Sequence, residues 1–336
     1  MKLHITNIYG LNDTAGMTQH EVADIAMQMG FHEMGIYSHL PIEEQHDLIQ
    51  RMDGIIPAVE QGDVVIFQYP SWNYMRFDET LVNHLHLYGA KVIIFIEDLV
   101  TPMFKAPIEN MEYIIRTTLN KADLLIVPSE KMLTYLRSHG LNVKNIMFQT
   151  LWEHPVKQQV GSIGFERKLF FTGNPNRFTW LKAYDEITPI MLYAKDRMEF
   201  HAGVHYQGFK SSDKLIQEFY TGGFGLIWPD EDDENAYYRM IQPHKLAEYL
   251  SVGMPVIIED KLVDAPLIKK YGLGLTAASL KEASDIVQSI SEDEYRGVVN
   301  NCKNFAELVR NGFFTRKLLT DAVINVMTGT SINFAG

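Results

Sequence analysis

Val92-Ile93-Ile94-Phe95-Ile96, together with Gly62-Asp63-Val64-Val65-Ile66-Phe67-Gln68, decides the fold class. Each holds an unbroken apolar run rather than the polar–apolar alternation of a half-exposed strand. Such runs suit strands covered on both faces, as in a parallel sheet flanked by helices. Around them, Lys2 to Ile8, His32 to Tyr37, Asp123 to Val127 and Asn145 to Gln149 are further strand candidates. Helical periodicity fills most of the gaps. Thr14 to Met29 stops at Gly30, which suits a helix C-cap. Ser129 to His139 opens on Ser129, whose hydroxyl can accept from the first-turn amides. The strand–helix–strand repetition predicts a doubly wound α/β domain over residues 1–155.

Leu151 to Glu166 breaks the pattern with Pro155, Gly161, Gly164 and polar residues, and predicts a linker. A second α/β series follows and predicts a domain over 166–312. Its strand candidates are Lys168 to Thr172, Ile190 to Tyr193, Gly225 to Trp228 and Pro255 to Glu259. Its helix candidates are Lys214 to Tyr220, Pro243 to Val252 and Leu280 to Ile290. A final amphipathic helix runs from about Thr315 to Met327, within a segment 313–328 expected to return to the first domain. The tail past Gly329 is small and polar and is expected to fray. No repeat or low-complexity tract interrupts the chain.

Composition agrees with two globular domains. The 336 residues and 46% hydrophobic content fill about two cores. No apolar run reaches about 18 residues, so no transmembrane helix is expected. Met1-Lys2-Leu3-His4-Ile5-Thr6 has no long apolar stretch and no small-residue cleavage site, so no secretory signal is expected. The lone Cys302 excludes an internal disulfide and points to a reducing, cytoplasmic compartment. Cys302 itself reads as a small buried hydrophobe. A net charge of -12 does not favour a nucleic-acid surface. An anionic ligand must therefore be held by a few placed cations.

Ligands of parallel α/β sheets bind outside the carboxyl ends of the strands. The richest loop-and-helix segment is Gln242-Pro243-His244-Lys245-Leu246-Ala247-Glu248-Tyr249-Leu250-Ser251-Val252-Gly253. Pro243 suits the first turn of a helix and Gly253 its C-cap. Lys245 then lies in the first turn, where the helix dipole prefers anions. A diphosphate between the cation and the helix amides near Pro243 and Leu246 resolves that conflict. Glu248 shares the Lys245 face and can accept from ribose hydroxyls. An ordinary amphipathic helix with a solvated Lys and Glu is the competing reading. In Phe170-Phe171-Thr172-Gly173-Asn174-Pro175-Asn176-Arg177-Phe178, a strand ends at Gly173, where backbone can approach a ligand closely. Asn174 lies in that turn, and Arg177 can reach a phosphate.

The first half offers two more places. The loop Tyr9-Gly10-Leu11-Asn12-Asp13-Thr14-Ala15 opens a helix and supplies amides and the Thr14 hydroxyl. It is not G-x-G-x-x-G, and that absence along the chain disfavours a nicotinamide oxidoreductase. Gln68-Tyr69-Pro70-Ser71-Trp72-Asn73 and Glu97-Asp98-Leu99 follow two of the buried strands. Tyr69 and Trp72 offer flat faces for a sugar ring, and Asp98 is a candidate general base. Asp230-Glu231-Asp232 forms a D-x-D, but its place in an acidic loop reads as a solvated charge run. His84 and His86 lie two apart, unlike a helical metal pair, and no metal site is expected.

Many blocks in one order carry a resemblance over nearly the whole chain. They include Ile5-Thr6-Asn7-Ile8, Glu33-Met34-Gly35-Ile36-Tyr37, Arg51-Met52-Asp53-Gly54-Ile55-Ile56 and Val127-Pro128-Ser129-Glu130-Lys131-Met132. They continue in Gly173-Asn174-Pro175, Gly222-Gly223-Phe224-Gly225-Leu226 and Gly312-Phe313-Phe314-Thr315-Arg316. The chain resembles the glucosyltransferases that add the second sugar to serine-rich-repeat adhesins of Gram-positive bacteria. The resemblance implies a GT-B fold, two facing Rossmann-like domains with a cleft between them. It implies a UDP-sugar donor, UDP-glucose or UDP-GlcNAc, bound mainly by the second domain, with no further cofactor and no metal. The implied acceptor is N-acetylglucosamine O-linked to Ser or Thr of the adhesin, held near Tyr69, Trp72 and Asn73. UDP contacts fall by local match on Thr14, Arg177, Tyr206 and Lys245, with the Tyr206 ring against the uracil. The implied assembly is a homo-oligomer, a tetramer. Two departures stand out: Glu97 replaces a His before the aspartate, and Met240 takes the first place of a Glu-x7-Glu pattern whose second place is Glu248. Retention or inversion is therefore not assigned. In the resulting scheme Arg177 and Lys245 stabilise the departing UDP and Asp98 is the base. A degenerate, non-catalytic subunit that presents the glycoprotein to a partner enzyme is the alternative, disfavoured because Arg177 and Lys245 are both present.

Overall fold

The computed structural model describes residues 1–38, 42–156, 161–230 and 236–329. The chain forms two compact units, Met1–Thr150 with the residues from Phe314 onward, and Leu151–Phe313. The first unit alternates β1 (Leu3–Tyr9), α1 (Thr14–Gln28), β2 (His32–Tyr37), α2 (Gln45–Ile55), β3 (Val64–Tyr69), α3 (Met75–Leu87) and β4 (Lys91–Ile96). It continues through α4 (Val100–Met103), α5 (Ile108–Thr117), β5 (Leu124–Val127), α6 (Glu130–Ser138) and β6 (Ile146–Phe148). All its strand pairs are parallel, in the order β2-β1-β3-β4-β5-β6. The two apolar runs that suggested the fold sit in the middle of this sheet. Every residue of β3 is buried, as are Val92 to Ile96 of β4. Burying each such side chain contributes roughly 1.5–3 kcal/mol. Edge strand β2 alternates instead, because only one of its faces is covered.

The second unit runs β7 (Leu169–Thr172), β8 (Ile190–Tyr193), β9 (Val204–Tyr206), α7 (Ser212–Phe219), β10 (Phe224–Ile227), α8 (His244–Ser251) and β11 (Val256–Glu259). It closes with α9 (Ala265–Tyr271), β12 (Gly274–Ala277), α10 (Leu280–Ser289) and α11 (Glu292–Arg310). Its sheet is also parallel, in the order β12-β11-β10-β7-β8-β9. The final helix α12 (Phe313–Thr328) joins the first unit, where Arg316 bonds Gln28 of α1. Chain order reverses between β1 and β3 in one sheet and between β7 and β10 in the other. Loops leaving such neighbours diverge and open a crevice at the carboxyl edge.

Several local expectations change. Pro243 precedes α8 as its N-cap, at φ -77 and ψ 132, and does not occupy the first turn. Gly253, at φ +81, follows the C-cap Val252. The linker is partly core: Leu151, Trp152, Glu153 and His154 are buried in the second unit. Trp152 Nε1 donates to the Gln242 carbonyl at 2.9 Å, and the amide of His154 donates to Val309 O at 3.2 Å. Residues 157–160 of that stretch and the tail 330–336 lie outside the described residues. Strands β9 and β12 and the long helix α11 were not singled out by the sequence reading.

Candidate functional site

The richest constellation lies at the carboxyl edge of the second sheet, around the β7–β10 reversal. Helix α8 is pressed onto that sheet by Tyr249, which lies over Gly225 of β10. A Cβ on Gly225 would stand 2.2 Å from the tyrosine ring, so only glycine admits it. Tyr249 Oη donates to Phe170 O of β7 at 3.0 Å. This seating brings the start of α8 against the loop after β7.

That loop folds back through Phe171 and Phe178, whose rings meet edge-on. A Cβ on Gly173 would lie 2.8 Å from Phe171 and 3.1 Å from Phe178. Gly173 therefore makes room for these two rings, where the sequence reading reserved its space for a ligand. Asn174 builds the turn: its carbonyl accepts from the amides of Arg177 and Phe178, and its Oδ1 accepts from the amide of Asn176 at 2.9 Å. The turn delivers Arg177 to Asp230, which follows β10. Arg177 Nε donates to Asp230 Oδ2 at 2.6 Å. Asp230 is thus a half-buried ion-pair partner and not part of a solvated run. The rest of that run, 231–234, lies outside the described residues.

Lys245 enters from α8. Its Nζ sits 4.0 Å from the Phe171 ring centre, 4.2 Å from Phe178 and 5.5 Å from Tyr238. The atom is buried, with no hydrogen-bond partner among the described residues. Burial lowers its pKa to about 7, Arg177 pushes the same way, and Asp230 and Glu248 oppose them. Glu248 is raised to about 7 by burial, against the pull of Lys245 and a 3.5 Å bond from Thr172 Oγ1. Two cations thus stand on adjacent elements, one of them without an acceptor among the described residues, an arrangement whose charge can take a multiply charged anion. The competing reading, a solvated lysine on an ordinary amphipathic helix, does not hold, because the Lys245 ammonium is enclosed by rings.

Beneath the start of α8 lies a cluster that the sequence reading missed. His244 stacks on Trp152 with ring centres 4.5 Å apart. Burial lowers His244 to about 3, and His154 to about 4, so both are neutral at physiological pH. The signal was present in Trp152-Glu153-His154, hidden by the proline and glycines behind it.

Other predicted residues separate into available and unavailable groups. Tyr206 ends β9, with its hydroxyl bound to the carbonyls of Ala194 and Lys195 at 3.1 and 3.2 Å and its ring partly exposed. Leu246 is not available: its side chain is fully buried and its amide donates to Pro243 O at 3.0 Å. Thr14 is exposed in the first turn of α1 in the first unit, and Asp13 caps that helix through the Gly16 amide.

In the first unit, Tyr69 cannot offer its face to a sugar, because its ring is in the core at 1% exposure, edge-on to Phe67. Trp72 is partly exposed at φ +54, and its carbonyl accepts from Ser38 Oγ at 3.2 Å. Asn73 donates to Ser71 O at 3.0 Å and accepts from Arg51 at 3.2 Å. Asp98 is partly exposed at the end of β4, its amide 3.4 Å from Tyr69 O. Glu97 beside it is buried, and its Oε1 has no partner among the described residues. Burial raises Glu97 well above the usual carboxylate range, and the Asp98 charge adds to this. Asp78 is likewise raised to about 7 by burial, although Ser71 Oγ donates to it.

Among the described residues, no group of three His, Cys, Asp or Glu side chains could hold a metal ion. His84 and His86 are spent on the carbonyls of Thr80 and Lys121, each at 2.8 Å. Among the same residues, no helix is long and apolar enough to cross a membrane. Cys302 is fully buried.

Comparisons with known proteins follow this division of the chain. The family described as "Glucosyltransferase 3-like, N-terminal domain" matches residues 2–151, and "Glucosyltransferase 3-like, C-terminal domain" matches 169–322. Glucosyltransferase 3 of Streptococcus gordonii is 38% identical over 336 residues, covering 98% of this chain and 100% of its own. Glucosyltransferase 3 of Streptococcus parasanguinis is 37% identical over 330 residues, covering 97% and 99%. Among solved structures, Anabaena Alr3699/HepE in complex with UDP-glucose superposes with a TM-score of 0.65 at 10% identity, covering 97% of this chain and 100% of that one. That likeness shows the fold, which is GT-B. With both halves matched by one family and two relatives above a third identical along its length, the chain belongs to the glucosyltransferase 3-like family.

Proposed function

We propose that the chain is a UDP-sugar-dependent hexosyltransferase that moves glucose or N-acetylglucosamine onto GlcNAc O-linked to Ser or Thr of a serine-rich-repeat adhesin. The observation that carries the donor half is the buried Lys245 ammonium beside Arg177, without an acceptor among the described residues. A diphosphate supplies the missing acceptor and the charge that both cations oppose. Family membership supports glucosyl transfer, and the relatives named Glucosyltransferase 3 align from end to end.

In this reading UDP lies on the second unit, with its uracil on Tyr206 and its ribose toward Glu248. The acceptor hydroxyl forms a bond to the anomeric carbon while the bond from that carbon to UDP breaks. The hydroxyl proton passes to a carboxylate, Asp98, and the negative charge collects on the departing diphosphate. Arg177 and Lys245 stabilise that charge, and such preorganised electrostatics is often the largest catalytic term. Trp72 and Asn73 border the acceptor. The enzyme works as a cytoplasmic homotetramer in which Arg177 and Lys245, rather than a metal, oppose the diphosphate charge; a single free cysteine supports the reducing compartment.

The test is incubation of the pure protein with several UDP-sugars and a GlcNAc-O-peptide, followed by mass and linkage analysis. The expected product is the peptide heavier by one sugar, with the unmodified peptide untouched. Folded protein that transfers no sugar from any donor refutes the enzyme and leaves the sugar-binding subunit.

A further inference from the structure

The Arg177–Asp230 pair spans the point where the second sheet reverses its order. β7 and β10 are neighbours in space but not in sequence, and Arg177 leaves after one while Asp230 leaves after the other. Their side chains are 36% and 16% exposed, so water screens the contact only partly. Among the described residues, Asp230 is the hydrogen-bond partner of Nε, and the terminal guanidinium nitrogens have none. The Arg177 guanidinium also lies 5.6 Å from the ring centres of both Phe178 and Tyr238, the rings that line Lys245. The carboxylate therefore grips one edge of the guanidinium and leaves its other N–H groups directed elsewhere.

We propose that Asp230 is the positioning residue of the anion site: it anchors Arg177 through Nε and supplies the counter-charge that lets Arg177 and Lys245 stand side by side, ready for one diphosphate. The inference rests on the donor reading above and adds a residue to it. Two cations this close repel, and each must also give up water. The charged groups that bear on Lys245 are Arg177 from the loop after β7, Asp230 from the loop after β10 and Glu248 from its own helix. Tyr238 contributes a ring and a buried hydroxyl without a partner among the described residues. Of the two carboxylates, Asp230 is bonded to a cation, while Glu248 is held by Thr172. Among the described residues, removing the Asp230 charge leaves the two cations opposed by Glu248 alone. Lys245 must then release its proton at a lower pH.

The experiment titrates UDP by calorimetry from acid to alkaline pH against the full chain, Asp230→Asn and Asp230→Ala, with sugar-transfer kinetics on each. Asn keeps an oxygen that accepts from Nε, whereas Ala keeps neither oxygen nor charge. In both variants the pH at which UDP affinity begins to fall is expected to move to the acid side. Turnover by Asp230→Asn is expected to fall less than that of Asp230→Ala, with a pH limb that moves to the acid side as the affinity limb does. Asp230→Ala is expected to lose on the order of 10²-fold in kcat, as misplaced catalytic groups do. An unmoved pH limb in Asp230→Asn overturns the counter-charge role, and equal kcat for the two variants overturns the anchor. Should Asp230→Ala fail to melt cooperatively, the pH limb of Asp230→Asn still decides. Lys245→Ala serves as the control for the donor reading. If it binds UDP as the parent does, that reading has failed. If it loses UDP while both Asp230 variants match the parent, only the present inference has failed.

Discussion

Replacing Lys245 by Met keeps an unbranched apolar stem against Phe171 and Phe178 and removes the charge. Truncating one partner of a buried, hydrogen-bonded charge pair costs about 2–5 kcal/mol of binding. At 1.4 kcal/mol per decade, UDP is expected to bind about 30- to 4,000-fold more weakly. Contact with the rings stabilises the free ammonium by about 2 kcal/mol when desolvated, which pulls the expectation toward the lower end. The pH dependence sharpens the test. The diphosphate favours the charged amine, which in the free protein titrates near 7. Below that pH binding takes up no proton at Lys245. Above it each complex takes up one, and affinity falls by about tenfold per pH unit. Folding responds in the opposite sense. Because the folded pKa lies below the ordinary lysine value of 10.5, the unfolded chain holds more protons between about 7 and 10.5. Lys245 therefore lowers stability most at and below neutral pH, and that penalty fades toward 10.5. Lys245→Met is expected to raise stability by about 1–4 kcal/mol at neutral pH, as hydrophobic replacements of buried charge often do. Calorimetry with UDP at pH 6, 7 and 8, beside urea melts, measures both effects. UDP affinity within about twofold of the parent at pH 6, with the slope above 7 unchanged, refutes the reasoning.

Tyr206→Ala is expected to weaken UDP by about 1–3 kcal/mol, the worth of one base–aromatic stack, while Tyr206→Phe holds affinity; calorimetry on the pair decides. Asp98→Asn is expected to lower kcat by about 10²–10⁴-fold with UDP affinity unchanged. If Asp98→Asn turns over normally and Glu97→Gln does not, the base is the buried carboxyl with the free oxygen. Asp264, at the head of α9, is raised to about 8 by burial, and its Oδ2 has no partner among the described residues. Its folded pKa lies above the unfolded 3.8, so its stabilising contribution is complete below about 4 and is lost as pH rises to about 8. Asp264→Asn is expected to flatten that decline in urea melts at pH 5, 7 and 8.5, and an unchanged slope counts against the assignment.

The fold was legible because its signal is local. Val64 to Phe67 and Val92 to Ile96 have no polar face to expose, so they had to be central strands, and both are. Ser129 announced the start of α6, and its hydroxyl accepts from the Met132 amide at 3.1 Å. The same signal stands at Ser291-Glu292-Asp293-Glu294, where a capping box opens α11. Strands β9 and β12 are short and mixed in polarity, and only pairing to β8 and β11 makes them strands. Local cues misplaced Tyr69 and Asp230. Tyr69 stood next to a turn in sequence, yet it is the last residue of a buried strand. Asp230 stood among acids, yet it points at a cation contributed from 53 residues away.

By itself, the sequence determined that two parallel α/β units form, which apolar runs are their central strands, and that Lys245 lies at the start of a helix. Periodicity, caps and glycine positions act over a few residues, and a linear reading recovers them. Only the tertiary structure decided that Lys245 is enclosed by Phe171, Phe178 and Tyr238, without an acceptor among the described residues, and that Arg177 is held by Asp230. Those properties arise where β7 meets β10. The energy of a charge depends on everything that displaces water around it, and no spacing along the chain records which distant loops do so.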